Sequence, residues 1–391
     1  MIDKSISRVG ESEMSDILDV VLPLAEMTII KRDFDLLKKL IMKLPDEVKV
    51  QMVPFSALFC YEVNQYLSNH GYAIEMEQTG RYSIKDIRQK AKFFDLSVNK
   101  LLQSIENVDQ LQNDYFIQQM KYPELGCWNA HTNLGVYFDA EKHIVGNTHY
   151  AYYVFQDEKM ISRPRDSMSG HDLIGEEIQA FGYDMGRIIG SISDGLSQIS
   201  DFMVADVDPN TLELFSQDFN TNRCVTVGND KYKLVRLFLL HVLSSIGFVL
   251  HILKKAIIRD SGLLLRLEYI TYHFALLRLD GIANYCRQNS RTVNDPKLME
   301  LLSGIDYMDT KGLRKPEFRN CMMHFGLTDK DGKSLINESC MDLSKPFCGL
   351  VEGLFGKSYG EYQVSIETEL STIFTGISQY LDFDLSLPEG K

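Results

Sequence analysis

The chain has 391 residues, 45% hydrophobic and 24% charged, with 41 Lys+Arg against 54 Asp+Glu and a net charge of −13. These are ordinary globular values, and they exclude collagen-like, disordered and low-complexity classes. The length exceeds what one compact core usually holds, so two or three domains are expected.

Seven cysteines are scattered along the chain without a C-x-x-C pair. An odd, dispersed set argues against a disulfide scaffold and for a reducing compartment. The N-terminal run MIDKSISRVGESEMSD is polar and lacks an apolar signal segment, so a cytoplasmic location is expected. The charge is unevenly spread. Residues 1–228 hold 21 basic and 34 acidic residues, and residues 229–391 hold 20 of each. Within 229–291 there are 10 basic and 4 acidic residues. A locally basic surface in an acidic protein suits a selective phosphate site better than a broad nucleic-acid coat.

In chain order, Met14 to Leu44 has helical periodicity, with a break or kink at Pro23 and an end at Pro45. Pro54 opens a second helix, Phe55 to Asn69, closed by Gly71. Ser83 N-caps a long helix from Ile84 to about Met120. His149 to Phe155, HYAYYVF, is the best strand candidate. Asp172 to Met203 reads as helix despite Gly182, Gly186, Gly190 and Gly195, and Asp206 to Asn229 as loop. Lys231 to Ile258 and Leu263 to Arg287 are two long helices joined at a turn containing Gly262, and so short a turn packs them antiparallel. A mixed loop leads to a short helix, PEFRNCMMHF, opened by Pro316 and ended by Gly326. After the turn TDKDGK, a last helix covers about Gln363 to Leu381. The expected fold is mainly α. Residues 1–228 form a mostly helical acidic region with a minor β element, a further division near 125 being left open. Residues 229–391 form a four-helix bundle.

The stretch Leu237 to Leu253, LFLLHVLSSIGFVLHIL, falls short of the roughly 20 apolar residues that span a bilayer. It carries His241, His251 and Ser244-Ser245, so it reads as a buried core helix and no membrane partner is expected. Cys127, His131, His143 and His149 offer four zinc-ligand types, but the C-x3-H-x11-H-x5-H spacing fits no finger pattern, and no metal is expected. Gly190-Ser191 and Ser200-Asp201 faintly resemble a minimal nucleotidyltransferase signature. Met203 stands where the second Mg²⁺-binding carboxylate belongs, so the likeness reads as coincidence.

The short helix holds the sharpest signal. It places Arg319, Asn320 and His324 as Arg-Asn-x-x-x-His on a helix that follows two long helices and precedes a closing one. This resembles the HEPN family (higher eukaryotes and prokaryotes nucleotide-binding) over roughly residues 229–391. The resemblance implies a metal-independent endoribonuclease with Arg319, Asn320 and His324 as catalytic residues and no cofactor. It implies a homodimer paired through the motif helix, and a bacterial defence or toxin role with room for a regulatory partner or antitoxin. Residues 1–228 would then sense a trigger or restrain activity.

The chemistry is coherent without the name. Histidine is the side chain suited to proton transfer near neutral pH, and arginine holds a fixed charge that can grip two phosphate oxygens. Asn320 and His324 are i,i+4 and share a face, so Asn320 could orient the imidazole. Arg319 and His324, five apart, stand about 140° apart around an ideal helix, so either the long Arg319 side chain reaches round or another element completes the site. Arg314, Lys315 and Lys330 are candidates for steering RNA phosphates. The competing reading is a non-catalytic RNA- or nucleotide-binding, or scaffolding, protein of the same fold.

Overall fold

The computed structural model describes residues 11–71, 82–92, 97–113, 132–155, 170–199, 206–221, 230–258, 262–290, 293, 295–337 and 345–382, with side chains from 22 in the first helix, from 178 in the sixth and from 232 in the seventh. The fold is mainly α-helical with a minor β element. The first three helices are α1 (Glu11–Lys43), α2 (Asp46–Asn69) and α3 (Ile84–Ile87), the last tightening into a 3₁₀ turn at Arg88–Lys92. Helix α4 (Val98–Gln112) leads to strands β1 (Leu134–Asp139) and β2 (Ile144–Asn147) and then to α5 (Thr148–Val154) and α6 (Gly170–Gly195). Strands β3 (Asp206–Val207) and β4 (Leu214–Phe219) precede α7 (Asp230–Gly247). Helix α7 continues through a π-helical segment, Phe248–Leu253, to Lys254–Ala256 and strand β5 (Ile257–Ile258). The remaining helices are α8 (Leu263–Gln288), α9 (Pro296–Ser303), α10 (Pro316–His324), α11 (Pro346–Phe355) and α12 (Tyr359–Leu381).

Helix α7 and its continuation form the centre. They are apolar all round, which demands burial on every side. The stretch Tyr232–Ala256 has the length and composition to cross a membrane, yet 89% of its most apolar window is buried inside the protein. Strand β1 runs between β2 and β4, antiparallel to both. Strand β2 lies directly on α7 at Gly247, where an added Cβ would come within 2.0 Å of the Ile144 carbonyl oxygen. Only glycine permits this approach. Helices α8 and α12 also pack on α7, and α1 and α2 join the same continuous core, which runs from Ala25 to Leu381 across position 228.

Several elements differ from expectation. His149–Phe155 is not a strand: Thr148–Val154 is helix α5, opened by the Asn147 side chain, which accepts from the Tyr150 N–H. A short helix buried on most sides shows the same unbroken apolar run as a buried strand, so the cap decides. The helix from Ile84 does not run on to Met120. Ser83 caps it as expected, but it ends within two turns, and a new helix starts after Ser97; residues 114–120 lie outside the described ones. Pro23 does not break α1, and α2 begins at Asp46 and continues through Pro54. Burial of Met52, Phe55, Leu58 and Phe59 holds the α2 backbone helical across the proline, overriding local propensity. Asp206 to Asn229 is not all loop, because it contains β3 and β4. Helices α9 and α11 were not anticipated.

One buried charge pair ties three helices together. Arg266 on α8 and Asp33 on α1 are both 0% exposed, with Nε and Oδ2 3.0 Å apart. The guanidinium also donates to the carbonyls of Met322 at 2.6 Å and Cys321 at 3.2 Å, in the last turn of α10. It lies 4.1 Å from the Phe325 ring centroid. A cation at a helix C-terminus meets both the orphan carbonyls and the negative dipole end. Arg266→Met should lower unfolding free energy by about 3–5 kcal/mol, because the buried Asp33 would lose the counter-charge that Arg266 supplies. The double variant Arg266→Met/Asp33→Leu should recover most of that loss in urea titrations.

Candidate functional site

Helix α10 is the element that carries the Arg-Asn-x-x-x-His pattern. Lys315 precedes Pro316 in extended conformation, as a residue before proline must, and Pro316 starts the helix. Phe318, Cys321, Met322 and Met323 form the buried face. The Phe318 ring packs edge-on against Tyr269, Phe355 and Tyr362 at 4.8–5.2 Å. Burial pushes the Cys321 thiol up to about 12, so it is a packing group and not a nucleophile. The helix stops one residue earlier than Gly326 suggests, because Phe325 takes the left-handed conformation at φ +64°. That strain is offset by what glycine could not provide: a fully buried ring against Phe59, Phe34 and Arg266. Just beyond, the Leu327 N–H donates to the buried Glu26 carboxylate at 2.7 Å. The C-terminal end of α10 is thus pinned by α8 and α1 together.

This anchoring leaves His324 at the surface, its side chain 49% exposed. Its Nδ1 lies 2.7 Å from Oε2 of Glu62 on α2. The other Glu62 oxygen accepts from Arg88 at 3.1 Å, and Arg88 stacks over the Tyr61 ring. Glu62 is only 8% exposed. An ionised carboxylate can only accept, so Nδ1 carries the proton and Nε2 is left as the basic nitrogen. Glu62 and Arg88 were not anticipated, since 262 positions separate Glu62 from His324. The one available cue was that Glu62 is the sole charged Asp, Glu, Lys or Arg between Val50 and Ile74.

The other predicted residues fall differently. Asn320 does not orient the imidazole: its Oδ1 accepts from Arg319 Nε at 3.2 Å and Nη2 at 2.7 Å. Glu62 holds the position Asn320 was expected to fill. Arg319 lies on the flank facing α8, where it and Arg314 help burial to lower the pKa of His273 to about 4. Arg314 donates to the Tyr307 carbonyl at 2.6 Å, and Lys315 to the Leu354 carbonyl while lying over Phe355. Both cations are therefore engaged within the fold. Lys330 is exposed. Neither a groove of about 700 Å³ between α9 and α12 nor one of about 460 Å³ beside α2 and α6 is lined by Arg319 or His324.

Of the four zinc-type residues, the two that are described, His143 and His149, do not pair with each other. Cys127 and His131 lie outside the described residues. His143 and His149 have separate partners: His149 Nδ1 is 2.7 Å from His241 Nε2, while His143 Nδ1 is 3.2 Å from Asp139. In the nucleotidyltransferase-like segment, Gly190 and Ser191 are helical, and the Ser191 hydroxyl donates to the Arg187 carbonyl; Ser200, Asp201 and Met203 lie outside the described residues. No family model, curated protein or solved structure matches the chain.

The buried His149–His241 pair has a consequence for acid stability. Burial lowers the His149 pKa to about 3 and moves His241 in the same direction. As pH falls below 6.5 the unfolded chain takes up protons that the folded pair refuses. Stability is therefore full above about pH 7 and declines toward pH 3. For His149 alone the loss by pH 4 is roughly 3 kcal/mol. Urea titrations from pH 7 to pH 4 should show this decline, with a shallower slope in His149→Gln.

Proposed function

We propose that the protein is a metal-independent endoribonuclease of HEPN type, working as a homodimer across α10. The reading is carried by one observation: a half-exposed histidine whose Nδ1 is held by a buried, doubly engaged carboxylate. Such a partner fixes the tautomer and stabilises the imidazolium that forms once Nε2 takes a proton. In the proposed reaction, Nε2 of His324 removes the 2′-OH proton of bound RNA. The 2′-oxygen attacks the adjacent phosphorus, the bond from phosphorus to the 5′-oxygen breaks, and the 5′-oxygen takes a proton from water while the imidazolium returns its proton to solvent. The products are a 2′,3′-cyclic phosphate and a 5′-hydroxyl end.

The phosphorane formed on the way needs a cation, and Arg319 supplies it in this reading. Within one chain Arg319 turns toward α8 while His324 turns toward α2, in keeping with their ~140° separation on the helix. A two-fold arrangement of α10 against its copy lets Arg319 of one chain face His324 of the other. Asn320 holds the guanidinium in position until phosphate replaces it as acceptor. Lys330 is the remaining exposed candidate for steering RNA.

The test is cleavage of RNA in EDTA, with product ends mapped. The wild type should cut and leave cyclic phosphates. His324→Ala should lose roughly 10²–10⁴ in rate. Glu62→Ala should lose less, and should add nothing when combined with His324→Ala. RNA bound but left intact by the wild type would favour a non-catalytic binding role, and cutting retained by His324→Ala would refute the assignment.

A further inference from the structure

We infer that Asp139, His143 and His251 form a site for one divalent first-row transition metal ion, with zinc the ion to test. The site is independent of His324. Single ligand atoms of the three residues all lie within 4.8 Å of one another.

The local backbone brings them together for identifiable reasons. Asp139 ends β1 and folds the hairpin turn, its Oδ1 accepting from the N–H groups of Glu141 and His143. Lys142 takes φ +66° to close that turn. Asp139 and His143 thereby face each other at 3.2 Å. Gly247 lets β2 descend onto α7, and this places His143, the residue before β2, over the next turn of the helix. There the helix opens into the π-helical segment Phe248–Leu253, which turns His251 toward the hairpin. π-Helical turns within α-helices concentrate at functional sites. The two imidazoles stack with centroids 3.8 Å apart, and Phe374 walls the pair at 5.0 Å from His251. The His251 Nε2 is buried without a hydrogen-bond partner, although the imidazole is a strong donor or acceptor.

Two imidazoles and one carboxylate suit zinc, iron, cobalt or nickel rather than calcium or magnesium, and leave coordination positions for water. Closing on an ion requires the stacked rings to hinge apart about their terminal side-chain torsions, which are soft. Lys255 is the competitor. Its ammonium donates to Asp139 at 3.1 Å and to Glu141 at 3.0 Å. An incoming dication displaces it from Asp139, while Glu141 stays as its partner and lowers the net charge around the ion.

The experiment is titration of the chelator-treated full chain with Zn²⁺ by calorimetry, with Co²⁺ absorption as a coordination probe. The wild type should bind one equivalent and rise in Tm. His143→Ala and His251→Gln should each lose that equivalent or weaken it by roughly a hundredfold or more. Cys127→Ser/His131→Ala should bind as the wild type does, which separates this site from the other zinc-type residues. Lys255→Met should bind about tenfold tighter, an effect not expected if the cluster is only an ion pair. His143→Ala, at the hairpin turn, keeps the test valid if His251→Gln fails to fold. Zinc bound equally well by His143→Ala, or no zinc bound by the wild type, would overturn the inference.

Discussion

Arg266 carries a full positive charge at a position without solvent, and three helices are arranged to compensate it. Asp33 supplies the counter-charge from α1. The last turn of α10 supplies two carbonyls. Phe325, forced into a left-handed conformation, supplies a ring face. An isolated ion in such a place costs several kcal/mol, so none of these partners can leave alone. The result is that a nine-residue helix, too short to be stable by itself, is locked at its C-terminal end. Glu26 adds a second lock through the Leu327 N–H. His324 is the residue at that locked end, and its ring meets Glu62 without any freedom of the helix to absorb a misfit.

The histidines show how position decides chemistry. His149 and His241 share one hydrogen bond in a dry core, where burial keeps both neutral. His143 and His251 stack at the edge of the sheet beside a carboxylate. His324 pairs with a carboxylate while keeping half its ring in solvent. The last arrangement leaves one ring nitrogen open to solvent, the second gathers three possible ligand groups, and the first does neither.

Much of the helical frame was legible in the sequence. Pro316, Ser83 and the apolar periodicity of α7, α8 and α12 mark helices by caps and spacing that act locally. The strands were hidden because β1, β2 and β4 are at most six residues long and contain glycine or mixed polarity. Helix α5 was misread because a short buried helix and a buried strand share one composition. For the candidate site, the motif residues could be named but their partners could not. Glu62 meets His324, and Asp139 meets His251, only through packing of elements far apart in sequence, with Gly247 and the π-helical turn setting the second meeting.

In the proposed reaction His324 and Arg319 act at one phosphate from opposite copies of α10. Mixing inactive Arg319→Ala and His324→Ala proteins under conditions that exchange subunits tests it directly. If the site is shared, each mixed dimer contains one intact pairing, and the mixture should regain about a quarter of wild-type cleavage. If the mixture stays as inactive as its components while exchange is complete, the shared site is contradicted.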